Sequence, residues 1–245
     1  MEEQGAPHLV VLTGAGISAE SGIRTFRASD GLWEEHSIEA VATPEGFARD
    51  PERVLRFYDE RREQVRRAAP NAAHRALAEL ERAGIRVSII TQNIDDLHER
   101  AGSRDVLHLH GEILMARSSV DDALRYPLSS GGIRLGDVCD KGSQLRPDVV
   151  WFGESVPRYG DACDIVAEAD MLLVVGTSLA VMPAALLLEQ APLEAQAVLV
   201  DPEANDLAPP GVGRMALSAG QGVPRLVKYW RATGRLELPN DLLSL

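Results

Sequence analysis

Little in this sequence assigns it to a class at sight. Only two cysteines occur in 245 residues, Cys139 and Cys163, far apart and without a neighbouring pair. That argues against a disulfide framework and a four-cysteine metal site, and each thiol reads as buried or indifferent. Cations are outnumbered, 25 Lys and Arg against 37 Asp and Glu, for a formal net charge of −12. With no basic field to hold polyanions, nucleic acid is not an expected ligand, whereas basic proteins and cationic peptides are attracted at long range. Long apolar runs are missing too. The first, around Leu9–Leu12, follows acidic residues and is too short for a signal-peptide core or a membrane span. No membrane partner and a cytoplasmic location are therefore expected. Low-complexity tracts and internal repeats are absent, so one integrated sequence must specify the fold.

What is present is a 45% hydrophobic composition, enough to bury a full core as one domain with an insertion or as two small ones. Apolar runs at Leu9–Leu12, Val87–Ile90, Met171–Val175 and Ala197–Val200 alternate with helical patterns at Pro51–Arg67, Asn71–Ala83, Tyr159–Ala169, Pro183–Gln190 and Val223–Thr233. This alternation predicts an α/β fold, a Rossmann-like doubly wound parallel sheet buried on both faces. The helix after Asn71 has a polar cap residue, a face of Ala73, Leu77 and Leu80, and a stop at Gly84. The segment Ile113–Leu145, rich in Ser, Gly and Asp, shows no sustained period and reads as a small subdomain or long loop. Together with the stretch before residue 70 it is expected to form a small module (about 25–69 and 113–145) against a Rossmann-like part (about 1–24, 70–112 and 146–245), leaving a cleft between them.

The motifs fall at the ends of these strands. Thr13-Gly14-Ala15-Gly16-Ile17-Ser18-Ala19 follows the first strand; its glycines permit a tight turn and close approach of a pyrophosphate at a helix N-terminus, although Ala19 stands where a third glycine is usual. Alone it serves equally as a structural turn. Gly22-Ile23-Arg24-Thr25-Phe26-Arg27 brings cations and an aromatic ring close to that turn, suiting an anionic, ring-bearing ligand. Thr91-Gln92-Asn93-Ile94-Asp95 sets polar groups at a strand's carboxyl end, where open α/β folds bind ligands, and is also ordinary turn chemistry. His108 and His110 sit on an extended segment ending at His110-Gly111 and are expected to face opposite ways. Further on, Arg146-Pro147-Asp148-Val149-Val150-Trp151-Phe152-Gly153-Glu154 supplies an apolar aromatic wall, and Val175-Gly176-Thr177-Ser178-Leu179 another small-residue loop.

Taken in order, Gly14-Ala15-Gly16-Ile17-Ser18, Gln92-Asn93-Ile94-Asp95, His110-Gly111, the run from Arg146 to Glu154, and Gly176-Thr177-Ser178 resemble the signatures of the sirtuins. The resemblance spans about Leu9 to Tyr229. It implies an NAD-consuming protein-lysine deacylase that releases free lysine, nicotinamide and an O-acyl-ADP-ribose. It further implies that Gly14, Ala15, Gly16, Ser18 and Arg24 hold the pyrophosphate, and that Phe26 shields the reacting ribose. Gln92, Asn93, Ile94 and Asp95 would surround the ribose and the carboxamide. Gly176, Thr177, Ser178, Asp201, Pro202, Glu203 and Ala219 would form the adenosine end. His110 becomes the general base, with Asn93 beside it in catalysis; a histidine suits a base that must work near neutrality. Val149 and Phe152 would line an acyl-lysine channel, with the acylated peptide adding as a strand between the loops at Gly153-Glu154 and Ser178-Leu179.

Two features refine this. Tyr58 and Arg61 lie one helical turn apart, and sirtuins that accept succinyl- or malonyl-lysine carry a Tyr-x-x-Arg of this spacing; a phenol and a guanidinium together bind a terminal carboxylate. Solvated residues on an Arg-rich helix are the alternative. Secondly, most sirtuins place two zinc-binding cysteine pairs in the region of Ile113–Leu145, where this chain has Cys139 alone. Zinc is therefore not expected, and Leu124, Tyr126, Ile133, Leu135 and Val138 are expected to pack in its stead. Rival readings of the whole are an NAD-dependent dehydrogenase, a non-catalytic NAD or ADP-ribose-binding module, and a mono-ADP-ribosyltransferase. The sequence leaves the oligomeric state open.

Overall fold

Every residue of the first strand, β1 (His8–Thr13), is buried, and the rest of the fold follows from that. A strand buried on both faces needs apolar partners above and below, and alternating side chains supply them. Leu9 and Val11 face a layer containing Leu77, Leu80, Leu226 and Trp230. Val10 and Leu12 face a second layer containing Ala162, Val166 and Leu187. The computed structural model describes residues 7–24, 32–33, 36–179 and 181–239.

After β1 come α1 (Ala15–Ala19), the short pair β2 (Leu32–Trp33) and β3 (His36–Ser37), then α2 (Ile38–Val41), α3 (Pro44–Arg49), α4 (Pro51–Arg67) and α5 (Ala72–Arg82). They are followed by β4 (Arg86–Thr91), α6 (Leu97–Ala101), β5 (Val106–His108), β6 (Gly111–Ser118), β7 (Arg125–Pro127), β8 (Leu145–Val149) and α7 (Tyr159–Ala167). The chain continues through β9 (Met171–Val175), a 3₁₀ helix (Ala184–Gln190), β10 (Gln196–Val200), α8 (Ala204–Leu207), β11 (Gly213–Met215) and α9 (Ala219–Thr233).

Six strands in the order β11-β10-β9-β1-β4-β5 make the main sheet, and every pairing in it is parallel. From β1 the chain moves outward through β4 and β5 on one side and later through β9, β10 and β11 on the other. The loops after β1 and β9 therefore diverge at a switch point, the place where such sheets bind ligands. Asn71 caps α5 as expected, its side chain accepting from Ala73 N at 2.9 Å, and Gly84 takes a φ of +96° beyond the helix end.

The expected aperiodic excursion is in fact framed by strands: β6 pairs with β7 and with β8 in an antiparallel sheet ordered β7-β6-β8. Burial of charged side chains hid the pattern. Arg146 and Asp148 of β8 and Arg117 of β6 are all buried, each in ion pairs, so polar residues occupy positions that a period-two reading reserves for apolar ones. Helix α4 packs on this sheet, with Val54, Phe57, Tyr58 and Val65 meeting Ile113, Val149 and Trp151. Of the five residues expected to pack in place of a metal, Ile133 is buried beside Leu55 and Ala116, with Tyr126 partly buried against them. Leu135 and Val138 are instead 58% and 54% exposed, and Leu124 is half-buried outside that cluster.

Three local expectations also change. The 183–190 segment is a 3₁₀ helix rather than an α-helix. Helix α9 starts at Ala219, one turn ahead of the expected Val223, with Pro224 inside it. The extended segment expected to run through His110-Gly111 ends at His108, with Leu109 and His110 in a turn; the Nδ1 atoms of His108 and His110 lie 3.2 and 3.0 Å from the carbonyls of Asn93 and Gln92.

Candidate active site

The loops at the switch point interlock. Gly14 N–H donates to Val175 O and Gly16 N–H to Gly176 O, at 3.0 and 2.8 Å. A Cβ on Gly16 would lie 2.6 Å from Gly176 Cα, and one on Gly14 2.8 Å from Gly176 O; Gly176 itself has a φ of +61°. Only glycine allows two backbones this close. The glycine pair is thus explained by loop-to-loop packing as well as by any ligand.

A cleft of about 540 Å³ opens between this edge of the sheet and the α4–β6–β8 module. It is lined by Gly14, Ala15, Gly16 and Ser18 after β1, by Gln92, Asn93, Ile94 and Asp95 after β4, and by Gly176, Thr177 and Ser178 after β9. Asp201, Pro202 and Glu203 after β10, Ala219 of α9, and His110 also line it, as do Tyr58, Arg61, Val149, Phe152, Gly153 and Glu154 from the module. Two of the residues singled out from the sequence are not brought there. Arg24 has an exposed side chain outside the lining, and its carbonyl accepts from Arg61 Nη2 at 2.9 Å. Leu179, at a φ of +54°, packs against the apolar layer of α7 and the 3₁₀ helix. Phe26 lies outside the described residues.

Buried polar groups in the cleft are wired together. Asn93 Nδ2 donates to Ser18 Oγ at 3.1 Å, and Ser18 Oγ–H donates to Asp95 Oδ2 at 3.0 Å. Burial pushes the Asp95 carboxyl up against the stabilising pull of the Leu97 amide and the Ser18 hydroxyl. Gln92 Nε2 reaches Thr177 Oγ1 at 3.2 Å, bridging the loops after β4 and β9.

His110 is oriented by its neighbour. A carbonyl oxygen only accepts, so the 3.0 Å contact with Gln92 O requires the proton on Nδ1. Nε2 is then the basic nitrogen. Burial lowers the pKa of the ring more than the carbonyl bond raises it. His108 goes the opposite way: burial pulls it down, but the hydrogen bond and charge of Glu99 outweigh that and raise it.

On the module side, Tyr58 is fully buried and Arg61 is 5% exposed. The indole Nε1–H of Trp151 donates to the Tyr58 hydroxyl at 3.0 Å, while the Arg146 guanidinium stacks 3.3 Å from the Trp151 ring centroid. Glu154 holds this stack: it accepts from Arg146 at 2.6 and 3.0 Å, from Arg117 at 3.2 Å and from Trp151 N at 2.8 Å. Its carboxylate is committed to shaping the wall, a role the sequence did not suggest. Glu20 was missed as well; it lines the cleft and accepts from Gly220 N at 2.6 Å and Ser218 Oγ at 3.2 Å, tying α1 to the start of α9. Nothing in a lone surface-type glutamate signals that role. Among the described residues no group of three or more His, Cys, Asp or Glu side chains is arranged to hold a metal, and no helix is long and apolar enough to cross a membrane.

Comparison with known proteins converges on this geometry. Residues 14–183, which carry every loop of the switch point except that after β10, match the Sir2 family. An NAD-dependent protein deacylase of Helicobacter pylori is 53% identical over 199 residues, spanning 81% of this chain and 86% of that protein. A solved Sir2 homologue in complex with NAD superposes with a TM-score of 0.84 at 44% identity, covering 94% of this chain and 91% of its own. A Sir2 structure bound to a propionylated peptide superposes at 0.74 with 32% identity, covering 92% and 94%. With the interlocked loops, the Ser18–Asn93–Asp95 network and an oriented histidine on one cleft, and with more than half the chain matched, this protein belongs to the Sir2 family.

Proposed function

We propose that this protein is an NAD-dependent protein-lysine deacylase whose pocket takes acyl groups ending in a carboxylate as well as acetyl. The observation that carries the catalytic half is the fixed tautomer of His110, a neutral imidazole with its basic nitrogen opposite a bonded Nδ1–H, on the wall of a cleft large enough for a dinucleotide and an acyl chain. The solved relatives with NAD and with an acylated peptide support the two ligands.

The residues present fit NAD. Backbone at Gly14 and Gly16 offers close approach for phosphates, and Asn93, Ser18 and Asp95 form a buried polar set suited to hydroxyls and a carboxamide. NAD supplies a ribose bond that breaks with departure of nicotinamide, leaving an electrophilic carbon for the acyl oxygen. The chain's own contribution is then positioning and proton transfer. Val149 and Trp151, both buried, give the acyl stem an apolar wall. The closed network of Asn93 holds its amide in one direction without reorganisation. His110 Nε2 takes the proton of a ribose hydroxyl as it becomes a nucleophile, and Gln92 O stabilises the resulting imidazolium through Nδ1–H.

The acyl-group half rests on Tyr58 and Arg61, one turn apart on α4 and both on the cleft wall. Burial raises the phenol well above its ordinary pKa, so it stays a neutral hydroxyl able to donate. A guanidinium and a phenol facing one cavity match a terminal carboxylate, which a purely apolar acetyl pocket would leave unpaired. The test is NAD-dependent turnover of matched acetyl-lysine and succinyl-lysine peptides by mass spectrometry, in wild type and Arg61→Ala. Loss of succinyl turnover by at least about tenfold more than acetyl turnover is expected, the worth of a charge-assisted hydrogen bond. Equal losses overturn the acyl assignment, and absence of nicotinamide release with any acyl peptide overturns the catalytic one.

A further inference from the structure

Two imidazoles lie buried beside the cleft without lining it. His74 is on α5 and His98 on α6, at 0% and 1% exposure, with ring centroids 4.8 Å apart in an edge-on arrangement. One nitrogen of each ring has its role fixed by a neighbour. Asn71 N–H donates to His74 Nδ1 at 3.3 Å, so that ring carries its hydrogen on Nε2. Thr13 Oγ1–H donates to Thr91 Oγ1 at 2.9 Å, and Thr13 Oγ1 also contacts His98 Nε2 at 3.2 Å. Having given away its hydrogen, Thr13 accepts from His98, which places the His98 hydrogen on Nε2 and a lone pair on Nδ1. The remaining atoms, His74 Nε2 and His98 Nδ1, have no hydrogen-bond partner among the described residues. One is a donor and the other an acceptor, in rings already in contact. Leaving both buried and unsatisfied costs more than any small rotation that joins them.

We propose that His74 Nε2–H bonds directly to His98 Nδ1, completing a hydrogen-bond tape that makes His98 a positioning residue for the NAD-binding loop. The tape runs from Asn71 through His74, His98 and Thr13 to Thr91, whose oxygen also accepts from Asn93 N at 3.0 Å. At its other end Asn71 Nδ2 donates to Ile17 O at 2.7 Å and to Ser21 Oγ at 3.0 Å. The helix after the phosphate turn is thereby tied to the loop bearing Gln92, Asn93 and Asp95 through residues that do not line the cleft. Every donor from Asn71 to Thr13 points the same way along the tape, so both rings must be neutral and in the assigned tautomers. Burial favours that, lowering His74 to about 4 and His98 well below its ordinary value. The charged groups facing the pair are Arg75 and Glu99 at His74 and His108 at His98.

The tautomer assignment stands on the structure alone, whereas its kinetic consequence rests on the function proposed above. The first test is long-range ¹⁵N–¹H NMR of the full chain, labelled at histidine, at pH 7. Two neutral rings protonated at Nε2, with a through-bond ¹⁵N–¹⁵N coupling between His74 Nε2 and His98 Nδ1 that vanishes in His74→Phe, are expected. A cationic His98, an Nδ1–H tautomer in either ring, or no coupling overturns the tape. The second is steady-state kinetics with NAD and an acetyl-lysine peptide for Thr13→Val and Thr13→Ser. The valine variant, isosteric but without a hydroxyl, is expected to raise KM for NAD about tenfold with kcat changed by less than about threefold, and serine to restore it within about twofold. An unmoved KM in folded Thr13→Val overturns the positioning role. Should wild type turn over no peptide, the NMR result still decides the tape, so failure of the proposed function and failure of this inference remain distinct.

Discussion

Replacing Trp151 by Phe isolates what holds the module side of the cleft together. The indole is 2% exposed, donates Nε1–H to the buried Tyr58 hydroxyl at 3.0 Å and carries the Arg146 guanidinium 3.3 Å from its centroid. Phe retains a ring for Arg146 but loses the N–H and part of the volume. Withdrawing the donor from a buried phenol costs about 1–3 kcal/mol. A weaker face for the cation adds about 0.5–1 kcal/mol, and the space vacated by the smaller ring about 1 kcal/mol. A loss on the order of 3 kcal/mol is expected, a large part of a domain's stability. Tyr58→Phe alone strands the indole N–H and is expected to cost about 1–3 kcal/mol. The double variant strands neither group, so its loss should fall short of the sum by about 1–2 kcal/mol. Urea unfolding of the four proteins at one pH, with the slopes compared to confirm a common unfolded state, measures all three quantities. Additivity within about 0.5 kcal/mol would refute the bond as the link between wall and pocket.

Three further outcomes follow. His110 is held below its ordinary pKa by burial, so the acid limb of kcat/KM for deacylation is expected below pH 6.5, and His110→Asn is expected to cut turnover by about 10²–10⁴-fold; a limb above pH 6.5 contradicts the assignment. The same sign governs stability: His8, His74, His98 and His110 all have folded pKa values below 6.5. The unfolded chain therefore binds more protons as pH falls, and stability present above about pH 6.5 drains away towards pH 4, with His74 alone contributing on the order of 3 kcal/mol. Equilibrium unfolding at pH 7.5, 6 and 5 checks it. Finally, Gly16→Ala thrusts a Cβ to 2.6 Å from Gly176 Cα and is expected to cost at least about 2 kcal/mol with loss of NAD affinity, whereas Gly160→Ala on α7, with nothing within 4 Å of the added carbon, should be neutral or slightly stabilising; calorimetry and NAD titration of the two variants separate them.

How much of this was readable beforehand depended on whether a residue's job was local. The strands Val87–Ile90 and Met171–Val175 announce themselves because each pairs with β1 and is buried on both faces, which demands continuous apolar runs. Asn71 announces a helix start because capping chemistry is confined to its own turn. The antiparallel sheet was illegible for the converse reason. Arg117, Arg125, Arg146 and Asp148 sit in it as ion pairs whose partners lie on another strand or beyond the end of β8, and no periodicity encodes such pairings. Glu154 and Glu20 were obscure in the same way, since a carboxylate's hydrogen-bond donors are chosen by the tertiary fold.

Helix α4 shows why the pocket and the inserted sheet stand or fall together. Its inward residues Tyr58 and Arg61 face the cleft, while Asp59, Arg62 and Arg66 on neighbouring turns reach the insertion. Asp59 pairs with Arg62 and accepts from Ile133 N at 3.1 Å. Arg62 Nε donates to Ile113 O at 2.8 Å, and Arg66 donates to Gly131 O and Leu128 O, each at 2.9 Å. A Cβ on Gly132 would run into the Asp59 carboxylate and displace it from its partners. These bonds hold backbone that has little apolar burial of its own, Ile133 being its buried hydrophobic residue in that cluster. The helix that presents Tyr58 and Arg61 to the cleft therefore also fixes the loop between β7 and β8, so loosening of that loop is expected to reach both side chains.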